Sequence, residues 1–153
     1  MRIGLIADTH GYLGADALAA LAGCERLLHA GDVGEGVLAP LAGLAPLTAV
    51  RGNNDREGEA AALPEIATVS IAGRTICVVH RLVDAPPAEG WDILVFGHCH
   101  RRHADEDGGR MLVNPGAAGR RGFHRERSVA VLDLNEGAAS VEFVSLGARA
   151  AAR

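Results

Sequence analysis

The stretch "MRIGLIADTHGYLGADALAALAGCERLLHAGD", residues 1–32, decides the fold. Its first seven residues form a short apolar run that ends at a polar cluster, which predicts a buried strand. Residues 13–23 have helical spacing and end on Gly23, a residue that suits a helix C-terminus. Residues 26–32 predict a second strand. A strand, a helix and another strand in this order imply parallel strands joined by a crossover helix.

The alternation continues and then changes after Leu63. A short helix weakened by Pro40 and a third strand follow first. Beyond Leu63 the apolar runs are separated by turn-rich stretches, which predict a hairpin and then further strands. These predicted segments are the helix of residues 35–44, the third strand within 47–55, the hairpin of 66–80, and the strands within 91–98, 101–114 and 128–146. The sequence therefore predicts one α/β (α+β) domain.

Composition narrows the class of protein. The chain has 153 residues, of which 48% are apolar and only 3% aromatic, so its core must consist mainly of Ala, Val, Leu and Ile. The net charge of −4 argues against a protein that mainly binds nucleic acid, because such proteins carry a basic surface. Phosphate substrates remain compatible with this charge, since bound divalent cations reverse the local sign.

The cysteines and the apolar runs bear on location. Three cysteines at unrelated spacings indicate no disulfide framework. The chain does not open on a signal sequence, and no apolar run approaches the roughly 20 residues that span a bilayer. We therefore expect a soluble, cytoplasmic protein that does not bind membranes.

Metal-ligating residue types follow the predicted strands. Open α/β sheets place their sites at the carboxyl ends of strands, where the following loops converge on one edge. Several such side chains at one edge are hard to explain by chance. The candidate metal-binding and catalytic residues are Asp8, His10, Asp32, Asn53, His80, His98 and His100.

The types of these ligands constrain the metal. Mixed carboxylate, imidazole and amide ligands suit Mn, Fe, Zn, Co or Ni, whereas all-thiolate sites suit structural zinc. Two ions about 3.5–4 Å apart need a bridging group, which a carboxylate supplies. Such a pair activates a water and clamps phosphoryl oxygens, so no serine or cysteine nucleophile is required.

The order D-x-H, G-D, G-N-x-D, H and G-H-C-H resembles that of the calcineurin-like metallophosphoesterases. Within this superfamily the chain is most similar to the small YfcE-type phosphodiesterases of bacteria and archaea, to which the retromer subunit Vps29 is related. The segments "LLHAGDV", "GNND" and "VNPGA" carry this closer resemblance. It spans essentially the whole chain and implies a four-layer αββα sandwich, with two mixed sheets flanked by helices. We assign residues 1–147 to this single domain and residues 148–153 to a C-terminal tail.

The resemblance also assigns roles to the seven candidates. One ion is bound by Asp8, His10 and His100, and the other by Asn53, His80 and His98, with Asp32 between the two. It implies a phosphodiesterase in which a metal-bridging hydroxide attacks in line. Two divalent ions are expected, Mn²⁺ first, with Fe, Zn, Ni or Co as alternatives. The implied substrate is a small phosphate ester, and a dimer or tetramer stays open.

Two alternatives to the phosphodiesterase hypothesis remain. A phosphomonoesterase or nucleotide phosphatase would use the same residues. A Vps29-like chain would instead use the fold as a non-catalytic scaffold for protein binding, although Vps29-like chains have lost metal-site histidines that this chain keeps.

The sequence departs from the family pattern at three places. Asn54 stands where many relatives have a histidine that protonates the leaving group, and an amide cannot act as an acid. Arg81 replaces the second histidine of an H-G-H motif, and it would either contact the substrate phosphate or point to solvent. Pro86 and Pro87 oppose the helix that relatives usually have after His80.

Four residues near the candidates are expected to have supporting or no roles. His29 is expected to be a core residue that supports the site, and Asp55 is expected to orient its neighbours. Cys99 is expected to point away from the metals, because alternate side chains of an extended segment lie on opposite faces. Asn114 begins an "NPG" turn near the site.

Four further polar residues lie just beyond the candidates in the sequence. We expect His103 and His124 at the surface. For Arg120 and Arg121 both a phosphate contact and a solvated loop remain open.

Overall fold

The computed structural model describes residues 1–148, and within them the chain forms ten strands and two α-helices. In chain order they are β1 (Arg2–Ile6), α1 (Ala15–Leu21), β2 (Arg26–His29), α2 (Leu38–Ala42), β3 (Leu47–Ala49), β4 (Ile66–Ile71), β5 (Arg74–Val79), β6 (Ile93–Val95), β7 (Arg102–Asp107), β8 (Arg110–Pro115), β9 (Glu126–Asn135) and β10 (Ala138–Ala148). Short 3₁₀ turns lie at Glu59–Ala62, Leu82–Asp84 and Ala88–Gly90.

The first sheet has the strand order β10-β9-β1-β2-β3. Its strands β1, β2 and β3 are parallel, with Leu5 opposite Leu28 and Leu28 opposite Thr48. The helices α1 and α2 are the crossovers between them, as residues 1–32 predict. Strands β9 and β10 come from the C-terminal part of the chain and add to β1 as an antiparallel pair.

The second sheet has the order β4-β5-β6-β8-β7 and is also mixed. Strands β5, β6 and β8 are parallel, and the outer strands β4 and β7 are antiparallel to their neighbours. The predicted hairpin is β4–β5, and its two-residue turn has φ of 51° at Ala72 and 77° at Gly73. Two positive φ angles are typical of the type I′ turn, whose twist matches that of the strands.

The main core lies between the two sheets. Alternate residues of β1 point into it, where Ile3 and Leu5 are fully buried against residues of β5, β6 and β8. The opposite face of the first sheet packs on α1 and α2 through Ile6, Leu21, Leu27 and Leu41. The interior is therefore aliphatic, as the composition predicts.

A thinner layer covers the outer face of the second sheet. Cys77, Val79 and Leu94 pack there with Trp91, whose indole Nε1–H donates to the Pro86 carbonyl at 3.1 Å. The segment between His80 and Trp91 contains only 3₁₀ turns, as Pro86 and Pro87 predict. The predicted sandwich of two mixed sheets flanked by helical layers is confirmed, with this fourth layer reduced to short turns.

The C-terminal end bears on the predicted domain boundary. Ala148, the first residue of the predicted tail, is the last residue of β10 and pairs with Glu126. Residues 149–153 lie outside the described part of the chain, so the division at residue 147 stays a prediction. Among residues 1–148, no helix is long and apolar enough to cross a membrane.

Candidate metal centre

The seven predicted residues follow the carboxyl ends of five strands, three in the first sheet and two in the second. The structure brings five of them into two groups whose ligand atoms lie within 4.8 Å of one another. One group is Asp8, His10 and His100, and the other is Asp8, Asp32 and His80. Asp8 belongs to both, so the two groups share one edge of the sandwich.

Asp8 is the most deeply buried of these residues. Its side chain is 0% exposed, and Oδ2 accepts a hydrogen bond from the His98 backbone N–H at 3.1 Å. Its other oxygen, Oδ1, is buried without a hydrogen-bond partner among the described residues. This oxygen lies 3.4 Å from His100 Nε2 and 4.0 Å from His80 Nε2. An unpartnered buried carboxylate oxygen is costly and rare, and a bound cation would satisfy it.

When His124 is neutral, its contacts fix the tautomer of His100. His124 Nε2 lies 2.8 Å from the Gly119 carbonyl, which can only accept, so this nitrogen carries a proton. The two Nδ1 atoms of His124 and His100 lie 3.1 Å apart. With His124 neutral, its Nδ1 accepts and His100 Nδ1 donates, which leaves the His100 Nε2 lone pair facing Asp8 Oδ1. Two acceptors that face each other fit a cation between them.

His80 has the same arrangement on the other side. Its Nδ1 lies 2.8 Å from the Ala30 carbonyl and therefore donates. Its Nε2 faces three oxygen atoms, namely Asn53 Oδ1 at 2.9 Å, Asp32 Oδ2 at 3.3 Å and Asp8 Oδ1 at 4.0 Å. Burial alone would lower the pKa of His80, but the hydrogen bond and charge of Asp32 and the charge of Asp8 outweigh it and raise the pKa. The surrounding oxygens thus favour positive charge at this position, whether from a proton or a metal ion.

Asp32 faces both groups. Its Oδ2 lies 3.3 Å from His80 Nε2 and 3.6 Å from His10 Nε2. The backbone N–H of Asn54 donates to Oδ1, and the Asn54 side-chain amide donates to Oδ2, each at 2.9 Å. Burial would raise the pKa of Asp32, but the hydrogen bonds from His80 and Asn54 outweigh it and hold the pKa below its usual range. Asp32 is therefore a carboxylate anion that lies between the imidazoles of His80 and His10.

His98 and Asn53 lie at the exposed side of this arrangement. The His98 ring packs edge-on against His80, with centroids 5.1 Å apart, and belongs to neither group. The structure corrects the reason given for Cys99. Strand β6 ends at Val95, and His98 and His100 have φ of 73° and 60°, so the segment is not extended. Cys99 is outside both groups and lies 3.3 Å from the Asn114 amide.

Two supporting residues behave as the sequence predicts. His29 is fully buried, accepts the Gly31 N–H at 3.1 Å and lies 3.0 Å from Thr9 Oγ1. Burial lowers its pKa to about 4, so it is neutral near pH 7. Asp55 accepts three backbone N–H groups, from Val33, Gly34 and Gly52, at 2.9–3.1 Å. These bonds tie the loops that carry Asp32 and Asn53 to each other.

His124 contradicts the prediction of a surface residue, because it is only 8% exposed. Its ring packs beside the His100 ring. Gly122 lies next to both rings, and a Cβ there would collide with the His100 ring. The sequence gives little sign of this contact, since His124 stands among charged residues in "RRGFHRERS" and without hydrophobic periodicity. His103, by contrast, is exposed on β7, as predicted.

We expect substitution of His124 to weaken metal binding. In His124→Leu the His100 Nδ1–H loses its acceptor, and such contacts typically contribute 10–100-fold to metal affinity. His124→Asn should restore most of the affinity, because its Oδ1 lies near the position of the lost Nδ1. Calorimetric titration with Mn²⁺ measures both variants, with thermal unfolding as the folding control. Equal losses in the two variants would show that His124 only fills space.

A cavity of about 590 Å³ lies over the centre. Arg121 lines it beside His10 and Asn54, whereas Arg81 does not line it and pairs with Asp84 at 2.9 Å. Burial is the main cause of the lowered pKa of His10; Asp32 and Asp8 oppose it, and the charge of Arg121 adds a smaller lowering. Arg81 lines another cavity, of about 400 Å³, beside Asn53 and His80, so both of its roles stay predictions.

Comparison with known proteins places the chain in a family. Residues 1–137 match the model of the calcineurin-like phosphoesterase superfamily domain. A probable metallophosphoesterase of Methanocaldococcus jannaschii is 31% identical over 134 residues, which are 76% of this chain and 68% of that protein.

Two solved structures share the fold. An archaeal phosphodiesterase has a TM-score of 0.78 at 23% identity, covering 94% of this chain and all of that one. Vps29 of Entamoeba histolytica with Zn²⁺ has a TM-score of 0.72 at 22% identity, covering 95% of this chain and 99% of that one. The match over 137 residues, the identity to the archaeal relative and the clustered ligands lead to one conclusion: the chain belongs to the calcineurin-like phosphoesterase superfamily.

Proposed function

We propose that this protein is a phosphodiesterase that uses two divalent metal ions. One ion would be held by Asp8, His10 and His100, and the other by Asn53, His80 and His98, with Asp32 shared between them. The observation that carries the proposal is the unpartnered, fully buried Asp8 Oδ1 facing the Nε2 atoms of His100 and His80. Each of these nitrogen atoms offers a lone pair when its imidazole is neutral, and cations would complete the arrangement.

When bound, the ions would polarise the phosphoryl oxygens and activate a water as the nucleophile. The protein residues hold the ligands in place and shape the site. His29 and Asp55 fix the loops of Asp32 and Asn53, and His124 orients His100. No serine or cysteine nucleophile is needed for this chemistry.

Asn54 sets a limit on the substrates. Its side-chain amide donates to Asp32 Oδ2 and lines the cavity, so it can offer a hydrogen bond but no proton to a leaving group. A general acid typically contributes about 10²–10⁴-fold. Diesters with good leaving groups should therefore react well, and the similarity to an archaeal phosphodiesterase supports a diester over a monoester.

The test combines metal analysis with an assay. We expect the purified full chain, loaded with Mn²⁺, to contain close to two ions and to hydrolyse bis(p-nitrophenyl) phosphate faster than p-nitrophenyl phosphate. Fe, Zn, Ni and Co are compared in parallel. Absence of metal together with absence of hydrolysis under all five ions would overturn the proposal. A preference for p-nitrophenyl phosphate would be consistent with the proposed metal centre, but it would make the substrate a monoester instead of a diester.

A second candidate is a protein-binding scaffold, which the fold shared with Vps29 favours. The scaffold differs from the phosphodiesterase in one measurable respect, because protein binding would not need the metal centre. A partner-dependent cellular phenotype that survives Asp32→Asn would support it. The retained metal-site histidines favour the phosphodiesterase. A cytoplasmic location and a dimer or tetramer are compatible with both candidates and stay predictions.

A further inference from the structure

The loop of residues 119–125 carries two side chains that the proposed chemistry leaves unused. Arg121 and Phe123 line the same 590 Å³ cavity as His10 and His100. The ring of Phe123 is fully exposed to solvent. An aromatic ring left in water forgoes the favourable free energy of burial, which makes its position beside the centre informative.

The loop holds the backbone on both sides of Phe123 in a defined place. Gly119 donates its N–H to the Asp8 carbonyl at 3.1 Å, and a Cβ there would collide with the Thr9 carbonyl. Gly122 has φ of 122° and lies so close to His100 that no side chain would fit. His124 is buried on the other side of Phe123. Phe123 therefore lies between two residues packed against the metal centre.

Exposure alone does not single out Phe123, since Val83 is also largely exposed. Val83 does not line the cavity, and it lies on the 3₁₀ turn Leu82–Asp84. What distinguishes Phe123 is the combination of a planar ring that lines the cavity with a neighbouring site for phosphate. Planar rings of ligands stack on such side chains, and every nucleobase has a face that can do so.

Two cations complete the surroundings of this ring. Arg101 and Arg121 line the cavity, and neither makes a hydrogen bond or an ion pair with another residue in 1–148. A guanidinium group binds phosphate oxygens through two parallel hydrogen bonds. The cavity thus offers metal ligands, unpaired guanidinium groups and an aromatic face.

We propose that Phe123, together with Arg121, forms a subsite for the planar ring of the substrate, and that the substrates are small nucleotide-like phosphoesters. This inference rests on the proposed function, because the metal centre must hold the phosphate. The ring-bearing substituent of the phosphate ester lies against Phe123. The Arg121 guanidinium donates hydrogen bonds to a phosphoryl oxygen that is not esterified. The negative net charge of the chain favours a small molecule over a nucleic acid polymer.

The experiment compares two phosphomonoesters that differ in the presence of a nucleobase. Thymidine 5′-monophosphate and 2-deoxyribose 5-phosphate are titrated by calorimetry into the Mn²⁺-loaded full chain. We expect the thymidine nucleotide to bind at least about tenfold more tightly, as stacking on one aromatic side chain allows. Phe123→Ala should bring the ratio of the two Kd values close to one, and Phe123→Trp should retain it. Arg121→Gln should weaken both ligands by similar factors.

The control is Val83→Ala, which removes an exposed apolar side chain outside the cavity and should leave the ratio unchanged. A ratio near one in the unmodified protein, or a ratio unaffected by Phe123→Ala, would overturn the inference. If oligothymidylate binds much more tightly than the mononucleotide, the inferred substrate is a nucleic acid and not a small molecule. Hydrolysis of bis(p-nitrophenyl) phosphate is measured alongside, so a working diesterase with a ratio near one contradicts the subsite alone. Loss of both metal and hydrolysis contradicts the proposed function.

Discussion

Asp32→Asn should lower hydrolysis of an aryl phosphodiester by at least about 10³-fold and reduce the bound metal. Asp32 Oδ2 lies within 3.3–3.6 Å of the Nε2 atoms of His80 and His10, and both carboxylate oxygens accept hydrogen bonds from Asn54. An amide in its place has one acceptor and no charge. Its NH₂ group would face a donor of Asn54, so the loss combines repulsion with weaker binding of two cations.

The measurements are the metal content of the purified variant and its steady-state rate under saturating Mn²⁺. Asp105→Asn is the matched control, because Asp105 is an exposed carboxylate on β7 and should behave like the unmodified protein. Thermal unfolding shows that both variants are folded. An Asp32→Asn protein with two bound ions and more than a tenth of the original rate would contradict the shared role of Asp32.

Asp8→Asn should have opposite effects on stability and on metal binding. In the metal-free protein the buried Oδ1 of Asp8 has no hydrogen-bond partner, and an unsatisfied buried acceptor destabilises the folded state. An amide NH₂ at this position could donate to His100 Nε2, which lies 3.4 Å from Oδ1. The metal-free variant should therefore unfold at a higher temperature than the metal-free unmodified protein.

Addition of Mn²⁺ should reverse this order. A ligand at 100 times its Kd stabilises the folded state by about 2.7 kcal/mol, which corresponds to a rise of roughly 5–10 °C in the Tm of a domain of this size. We expect this rise in the unmodified protein and little change in Asp8→Asn. Differential scanning calorimetry at pH 8, with EDTA or with Mn²⁺, measures all four states. If Mn²⁺ shifts the Tm of both proteins equally, Asp8 is not a ligand.

Much of the architecture could be predicted from local patterns. The sequence shows apolar runs of four to seven residues, the helical spacing before Gly23 and the turn signal "AGR" at residues 72–74, because each depends on neighbouring residues. The motifs also placed the seven candidates after strands, and Asp55 and His29 have the supporting contacts expected of them. The family followed from the same motifs.

The details of the centre depend on contacts between distant segments. His124 meets His100 only because the loop after β8 folds back over the end of β6, 24 residues away in the chain, and no local pattern encodes that approach. The positive φ angles of His98 and His100 likewise depend on Asp8 and Gly122, which hold the segment in place from outside it.

The sequence by itself therefore determined the family and the candidate ligands, because the motifs consist of residue types at short spacings, and the resemblance carried by those motifs implied the sandwich of two mixed sheets. Only the tertiary structure decided which ligand atoms face each other, that Asp8 Oδ1 lacks a partner, and that Phe123 and Arg121 border the cavity. The physical reason is that distances of 3–4 Å between side chains on five strand ends depend on how two sheets pack. That packing is a property of the whole chain.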